Sequence, residues 1–202
     1  ALIGVVIYDG VEPIDLGGTS GVVSMASRVL PGIASILIAA RKGPVRLAGG
    51  VTVLAEADFA SAPACDVVIV CGGPGWREQV TDEAMLAFLR SRANSAIASV
   101  CTGALILAAA GLLEGRRATT RRRAVGAERA SPLSLITDYA GTALPQASLV
   151  VDDRGVVTSG GVSLAIDGTL YLIGRIYGTP AQDAFEANRQ ALGIVVHQPT
   201  IA

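Results

Sequence analysis

Short apolar runs recur along this chain, and the segments between them have a helical pattern. Four runs rich in Val, Ile and Leu show no alternation with polar residues: 2–8, 35–40, 66–71 and 95–100. Continuous apolar runs of this length are typical of strands that are buried on both faces of a sheet. Amphipathic or Ala/Leu-rich segments predict helices at about 20–28, 81–92, 103–111 and 163–177, and a last helix opening at Thr179-Pro180.

Two segments have the pattern of hairpins. Residues 45–59 alternate around Gly49-Gly50, and residues 148–158 turn at Asp153-Arg154-Gly155. Since the remaining strands alternate with helices, we expect an α/β fold: a doubly wound, mostly parallel sheet with helices on both faces. No linker, low-complexity segment or internal repeat divides the chain, so we expect a single domain over residues 1–202.

Composition and charge exclude several classes of protein. Hydrophobic residues make up 51% and charged residues 16% of the chain, which excludes a disordered protein. The net charge of −1 gives no electrostatic argument for binding nucleic acid. No apolar run is long enough for a membrane span, and the first run lacks the basic flank of a signal peptide. We expect a cytoplasmic protein with reduced thiols, because three cysteines do not form a disulfide framework.

The strongest candidate for chemistry is Cys101, which stands between a buried strand and a helix in a segment of small residues. A tight turn of this kind, a nucleophile elbow, holds a nucleophile above the sheet in a strained conformation. We expect the helix N-terminus to favour the thiolate, and backbone N–H groups at Gly72, Gly73 and Gly103 to receive a developing anion. The alternative is a buried, inert cysteine, and this is the favoured interpretation for Cys65 and Cys71.

A nucleophilic thiol usually has an acid–base partner beside it. The only histidine, His197, lies in a proline-containing tail, so a Cys–His pair is poorly supported and no metal site is expected. Carboxylates at the carboxyl ends of parallel strands remain, and Glu12 and Asp15 follow the first strand. A carboxyl group near a thiol in an apolar cleft would have a raised pKa and could transfer a proton. The alternatives are a turn residue for Glu12 and a helix N-cap for Asp15.

Two further features are candidates for the walls of a site. Trp76, the only tryptophan, follows a Gly-rich loop and could line the mouth of the site or pack in the loop. Five arginines between Arg116 and Arg123 form the only charge cluster. A solvated face is the favoured interpretation of this cluster, and an anion site or a dimer-edge network of ion pairs is the alternative.

Several motifs in a fixed order resemble the ThiJ/PfpI superfamily, which has a flavodoxin-like fold related to class I glutamine amidotransferases. They are Asp15-Leu16-Gly17-Gly18, Val68-Ile69-Val70-Cys71-Gly72-Gly73, Ser99-Val100-Cys101-Thr102-Gly103, residues 111–120, and Thr158-Ser159-Gly160-Gly161 with Ile166-Asp167. Protease-like and amidase-like members follow the nucleophile with histidine, but here Thr102 follows Cys101. The chain therefore resembles the branch of isocyanide hydratases and of the ligand domains of AraC-type regulators.

The resemblance implies an activity and a set of roles. Cys101 would attack the carbon of an isocyanide to give a thioimidate, and Asp15 would act as acid and base. Thr102 would hold the site, water would complete the formation of an N-substituted formamide, and no metal or organic cofactor would be needed. The superfamily also implies a homodimer that takes a small-molecule substrate or ligand.

This chain departs from the branch at two places. The common Asp-Leu-Thr-Gly-Pro is here Asp15-Leu16-Gly17-Gly18-Thr19, and Arg121-Arg122 stand where histidine and an aromatic residue are common. Arg121 is therefore expected to make a wall of the pocket cationic. Two other functions stay open: a ligand-sensing domain and a redox or carbonyl-stress protein with an oxidisable Cys101. Direct DNA binding by this chain alone is not expected, since it contains no C-terminal helix-turn-helix pair.

Overall fold

The central sheet is built from the apolar runs that the sequence marks as strands. The computed structural model describes residues 1–92 and 95–178. The strands in these ranges are β1 (Leu2–Val6), β2 (Ala34–Ala39), β3 (Gly43–Arg46), β4 (Thr52–Ala55), β5 (Ala57–Asp58), β6 (Val67–Val70), β7 (Ala96–Val100), β8 (Arg117–Ala118), β9 (Leu144–Pro145), β10 (Val150–Asp153) and β11 (Val156–Ser159). The helices are α1 (Pro13–Ala26), α2 (Trp76–Gln79), α3 (Glu83–Ser91), α4 (Gly103–Ala109), α5 (Pro132–Tyr139) and α6 (Leu164–Tyr177).

Seven strands form one sheet in the order β10-β11-β7-β6-β1-β2-β5. All neighbours pair in parallel except β10 and β11, which form an antiparallel hairpin at one edge. The chain passes from β1 to β2 on one side, and β6 and β7 lie on the other side of β1. Such a switch point opens a crevice at the carboxyl ends of the strands, where α/β proteins bind ligands. The expected doubly wound α/β fold is therefore confirmed.

The inner strands are buried on both faces, which explains their lack of alternation. Every residue of β6 is buried, and Ile3, Val5 and Val6 of β1 are fully buried. The helices form two groups, since α1 packs against α6 while α4 packs against α2, α3 and α5. None of the helices in the described part of the chain is both long enough and apolar enough to cross a membrane.

The first helix begins earlier than the sequence predicts. It starts at Pro13 rather than near Ser20, and a proline at the first position of a helix is favourable because its missing N–H has no partner there. Gly18 lies inside this helix and faces α6. A Cβ atom at this position would lie only 2.8 Å from the Cβ of Ala165, so a larger residue would not fit. The glycine thus permits close packing of α1 on α6. As a result Asp15 lies in the first helical turn, and the alternative of Asp15 as an N-cap is wrong.

The other sequence-based boundaries agree more closely with the structure. Asp82 is the N-cap of α3, since its carboxylate accepts a hydrogen bond from the Ala84 N–H at 2.9 Å. The first predicted hairpin is confirmed as β3 and β4, although residues 57–58 leave it to pair in parallel with β2. The last predicted helix, from Thr179, lies outside the described residues.

The second predicted hairpin is confirmed as β10 and β11. Its two turn residues, Arg154 and Gly155, have φ angles of 51° and 88°. A two-residue turn with positive φ at both central residues has a backbone twist that fits the right-handed twist of the two strands it connects. This hairpin closes the edge of the sheet next to β7, the strand that leads to Cys101.

Candidate functional site

Cys101 occupies a strained turn between β7 and α4. Its φ of 53° lies in the left-handed region, which is uncommon for a residue with a side chain. The backbone is held on both sides: the Cys101 N–H donates to the carbonyl oxygen of Ser159 at 3.1 Å, and the Thr120 hydroxyl donates to the Cys101 carbonyl oxygen. The chain therefore has the geometry of the strand-to-helix elbow that its sequence predicts, fixed by β11 and the segment after β8.

Two glycines allow the loops to close around the Cys101 side chain. A Cβ atom at Gly161 would lie 2.4 Å from the Cys101 Sγ. At Gly72 it would lie 2.6 Å from the Cys101 Cβ and 2.9 Å from the Asp15 Oδ2. Because the Cys101 side chain and the Asp15 carboxylate both border Gly72, the fold brings together two candidates that are far apart in sequence.

Asp15 is a buried carboxyl group with one oxygen engaged. Its Oδ1 accepts a hydrogen bond from the Val162 N–H at 2.8 Å, while its buried Oδ2 has no partner of conventional hydrogen-bond geometry among the described residues. Burial raises the pKa of Asp15 from 3.8 to about 6, and the Val162 N–H and the Cys101 thiol partly oppose this shift. Asp15 is therefore mostly ionised at neutral pH, yet its pKa is close enough to neutrality for the carboxylate to take up a proton.

The Cys101 thiol is protonated at neutral pH. Burial, followed by repulsion from the Asp15 carboxylate, raises the pKa of Cys101 to about 12, although the Thr102 N–H and Arg121 act in the opposite direction. The N–H of Thr102 at the start of the helix favours the thiolate, as expected, but desolvation by burial outweighs this effect in this state. A protonated thiol must lose its proton to a base before its sulfur can attack a substrate. The Asp15 carboxylate is positioned to act as that base.

The remaining backbone candidates brace the elbow. The Gly73 N–H donates to the Thr102 Oγ1 at 2.9 Å, so in this state it is engaged by Thr102 rather than open to an anion. The Gly72 carbonyl oxygen accepts from the Glu12 N–H at 2.9 Å. A Cβ atom at Gly103 would lie 2.2 Å from the Val70 carbonyl oxygen, so glycine permits α4 to pack closely on β6.

A pocket of about 740 Å³ opens above the Cys101 thiol. Its volume is in the range that small-molecule sites occupy. Of the sequence candidates, it includes Asp15, Gly73, Trp76, Cys101, Thr102 and Arg121. Glu12 also lines it, while Gly72 and Gly103 are not among its lining residues. Its other lining residues are Ile14, Pro74, Arg77, Val125, Ala127, Glu128 and Val162.

The predicted arginine cluster is divided by the fold. Arg116 donates to the carbonyl oxygens of Asp153 and Arg154, and thereby ties its segment to the β10–β11 turn. Arg121 instead enters the pocket, where its Nη2 donates to both carboxylate oxygens of Glu128 at 2.7 and 2.8 Å. Its guanidinium also interacts with the Cys101 thiol and lowers the pKa of Cys101. The interpretation of the whole cluster as a solvated face is therefore wrong.

Three residues of the site were not found from the sequence. Thr120 holds the elbow, Val162 binds Asp15, and Glu128 orients Arg121. A signal existed only for Glu128, which is the one acidic residue within the basic stretch 115–137. Val162 acts through its backbone, so its side-chain identity carries no information about this role.

The other cysteines are part of the core. Cys71 and Cys65 are buried free thiols, 0% and 6% exposed, as their apolar context predicts. No group of three or more His, Cys, Asp or Glu side chains within residues 1–92 and 95–178 could hold a metal ion. His197 lies outside the described residues.

The mostly parallel sheet and the strand-to-helix turn at Cys101 define a doubly wound α/β protein with a cysteine at its nucleophile elbow. Comparison with known proteins identifies the family. The chain belongs to the DJ-1/PfpI family, whose sequence profile matches residues 2–173, and the resemblance to the ThiJ/PfpI superfamily is thereby confirmed. The chain is 34% identical over 178 residues to an isonitrile hydratase from Pseudomonas putida, which covers 87% of this chain and 72% of that protein.

Other relatives extend the range of functions in the family. The transcriptional regulator GbdR of Pseudomonas aeruginosa is 35% identical over 132 residues, covering 64% of this chain but 33% of the regulator. The crystal structure of a ThiJ/PfpI family protein from Pseudomonas syringae matches with a TM-score of 0.75 and 28% identity, over 92% of this chain and 74% of that chain. A DJ-1 superfamily protein from Salmonella typhimurium shares the fold with a TM-score of 0.78 at 20% identity, over 96% and 99% of the two chains.

Proposed function

We propose that this protein is a cysteine-dependent hydratase that converts an isocyanide into an N-substituted formamide. The observation that supports this most directly is the buried pair of Cys101 and Asp15 at the base of the pocket. A protonated thiol lies beside a carboxylate whose pKa is raised to about 6, so a proton can pass between them and the substrate. The similarity to an isonitrile hydratase over 87% of the chain supports the same chemistry.

In the first half of the reaction, the Cys101 sulfur forms a bond to the terminal carbon of the isocyanide. The Asp15 carboxylate takes the thiol proton as this bond forms and delivers it to the same carbon. The product is a thioimidate, R–N=CH–S–Cys101, and Asp15 is again a carboxylate. The protonated thiol of the resting state suits this step, because the proton that leaves sulfur is the one that carbon needs.

In the second half, water attacks the thioimidate carbon while Asp15 accepts one of its protons and passes it to the nitrogen. The resulting tetrahedral adduct then loses its hydroxyl proton to Asp15. The C–S bond breaks, the N-substituted formamide leaves, and Asp15 returns the proton to the Cys101 sulfur. Thr102 supports both steps by holding the Gly73 loop against the elbow.

The test is the appearance of a formamide from a simple aliphatic isocyanide. We expect turnover by the unaltered protein, loss of turnover in Cys101→Ala and in Asp15→Asn, and retention in Cys65→Ala as a matched cysteine control. Circular dichroism would establish that each variant is folded. Turnover at the original rate by Cys101→Ala would refute the proposal, as would absence of turnover by the unaltered protein.

A second candidate function is ligand sensing without turnover. It is supported by the match to GbdR, a transcriptional regulator of which this chain covers only a third. A sensor needs the pocket but not the thiol, so it predicts ligand binding that survives Cys101→Ala without any product in the unaltered protein. A redox role is less well supported, because the pKa of Cys101 is raised to about 12 and oxidisable cysteines usually have a depressed thiol pKa.

A further inference from the structure

The charged residues of the pocket form two groups. Glu12 and Asp15 lie at the start of α1, and both are acidic. On another wall, Arg77 and Arg121 both approach Glu128, at 3.9 and 2.7 Å between nitrogen and carboxylate oxygen. Because two guanidinium groups share one carboxylate, this wall carries a net positive charge.

The two arginines differ in how far their hydrogen-bonding capacity is used. Arg121 is bound to Glu128 and to the Arg123 carbonyl oxygen, and its side chain is only 19% exposed. The Arg77 side chain is 53% exposed, and its ion pair with Glu128 is too long for a hydrogen bond. Within the described residues no other acidic group pairs with Arg77, so its donors can serve an anionic ligand.

Arg77 is held at the pocket by the tryptophan beside it. Its guanidinium lies 4.8 Å from the centre of the Trp76 ring, a cation–π contact that keeps the group over the pocket wall. The Trp76 indole N–H is buried and has no hydrogen-bond partner among the described residues.

Exposed apolar side chains line the same pocket as this cation. Ile14, Val125 and Val162 line the pocket with 47%, 63% and 47% of their surface exposed. Exposed apolar side chains gathered at one cavity are typical of a binding surface for a hydrocarbon group. The pocket thus presents a thiol, exposed apolar side chains and a cation with free donors.

From this combination we infer that the pocket takes a ligand with an apolar body and a carboxylate, and that Arg77 binds this carboxylate. The inference rests on the proposed function for the reactive end, where the ligand would carry its isocyanide group. Arg77 would then be a specificity-determining residue rather than a catalytic one.

Matched substrates test this inference. An ω-isocyanoalkanoate and its methyl ester share an apolar chain and an isocyanide but differ in charge. For the acid, we expect Arg77→Gln to raise KM by about three- to fivefold with kcat almost unchanged, because the lost contact is equal in ground and transition states. For the ester, KM should change by less than about twofold, within the range of exposed substitutions that touch no partner. Arg90→Gln, on α3 outside the pocket, is the control.

Binding can be measured without turnover, because Trp76 is the only tryptophan of the chain. In the Cys101→Ala variant, an alkanoate lacking the isocyanide should change the Trp76 fluorescence at lower concentration than the corresponding alkyl amide does. The Arg77→Gln substitution should abolish this preference. If neither isocyanide is converted but the preference is found, the hydratase proposal fails and the carboxylate specificity holds. Equal binding of acid and amide, with equal kcat/KM for acid and ester, would overturn the inference.

Discussion

The Asp15 carboxylate accepts a hydrogen bond of 2.8 Å from the Val162 N–H, across 147 residues of chain. Val162 has a φ of 62°, which is strained for a β-branched residue. The same turn contains Gly161, which lies directly against the Cys101 side chain. One hydrogen bond therefore orients the candidate acid–base group and stabilises the strained turn that encloses the thiol.

This burial of Asp15 has a predictable cost in stability. Since the pKa of Asp15 is raised from 3.8 to about 6 on folding, the folded state binds the proton more tightly than the unfolded chain does. This tighter proton binding contributes at most about 3 kcal/mol to the free energy of unfolding. The contribution is fully present below about pH 4 and is lost as the pH rises through about 6. Asp15→Asn keeps an oxygen acceptor for Val162 but never ionises.

We therefore expect Asp15→Asn to be more stable than the unaltered protein at about pH 8 but not at about pH 4, as a neutral side chain avoids the cost of a buried charge. Urea unfolding at the two pH values measures the difference. The surface carboxylate variant Asp138→Asn should show no such divergence. A stability difference that is the same at both pH values would contradict the assignment of the raised pKa.

The ionisation of Asp15 should also determine how kcat/KM falls at acidic pH. In the proposed reaction Asp15 must be ionised to accept the thiol proton, so kcat/KM should fall as the pH drops below about 6. The negative charge of Glu12 contributes to the raised pKa of Asp15, and Glu12→Gln should move the midpoint to lower pH. A profile that stays flat down to about pH 4 would contradict the role of Asp15 as the base.

Much of the fold could be predicted because its signals are local. The apolar runs of β1, β2, β6 and β7 are continuous since both faces of the sheet are covered, and burial of this kind is visible in the sequence alone. The position of Cys101 between a strand and a helix is equally local. The carboxyl ends of parallel strands indicated Glu12 and Asp15 as possible partners of Cys101, and only the family resemblance selected Asp15. The local pattern could not make this choice, because the pairing depends on how strands β1 and β7 end at the same edge of the sheet.

The features that the sequence did not predict depend on tertiary contacts. The start of α1 was misplaced because Gly17-Gly18 has the composition of a loop, whereas Gly18 is required by the nearby Ala165 of α6. The pKa of Cys101 was expected to be lowered by the helix N-terminus, but the depth of burial outweighs that effect. The proximity of Ala165 has no signature in the local pattern, and that pattern left the burial of Cys101 as one of two open interpretations.

The close approach of Gly161 to the thiol gives a steric prediction. In Gly161→Ala the new Cβ atom would lie 2.4 Å from the Cys101 Sγ, so the side chain or the turn must move. We expect the free energy of unfolding to fall by about 1–3 kcal/mol, as in other overpacked sites. The rate of Cys101 alkylation, followed by mass spectrometry, should change as well.

Gly17→Ala is the matched control for this substitution. Gly17 lies in α1, and a Cβ atom there would have no neighbour within 4 Å. Alanine at an open helical position should raise the free energy of unfolding by about 0.5–1 kcal/mol and leave alkylation of Cys101 unchanged. Equal effects of the two substitutions would argue against tight packing around the thiol.

The Thr102 hydroxyl should be required for the stability of the elbow. Its Oγ1 accepts the hydrogen bond of the buried Gly73 N–H at 2.9 Å. Thr102→Val keeps the shape but removes the acceptor, and an unpaired buried donor costs about 1–3 kcal/mol. Thr102→Ser retains the hydroxyl and should lose less. Chemical denaturation compares the three proteins, and a valine variant as stable as the serine variant would contradict this assignment.

The contact between Arg121 and Cys101 makes a prediction about thiol reactivity. The Arg121 guanidinium lowers the pKa of the Cys101 thiol, although burial dominates. Arg121→Gln should therefore raise that pKa further and slow the alkylation of Cys101 by iodoacetamide at any pH below about 9, because the thiolate is the reactive form. Arg122→Gln changes an exposed neighbour and is the control. Mass spectrometry separates Cys101 from the two core thiols, and equal alkylation rates in both variants would show that Arg121 does not act on the sulfur.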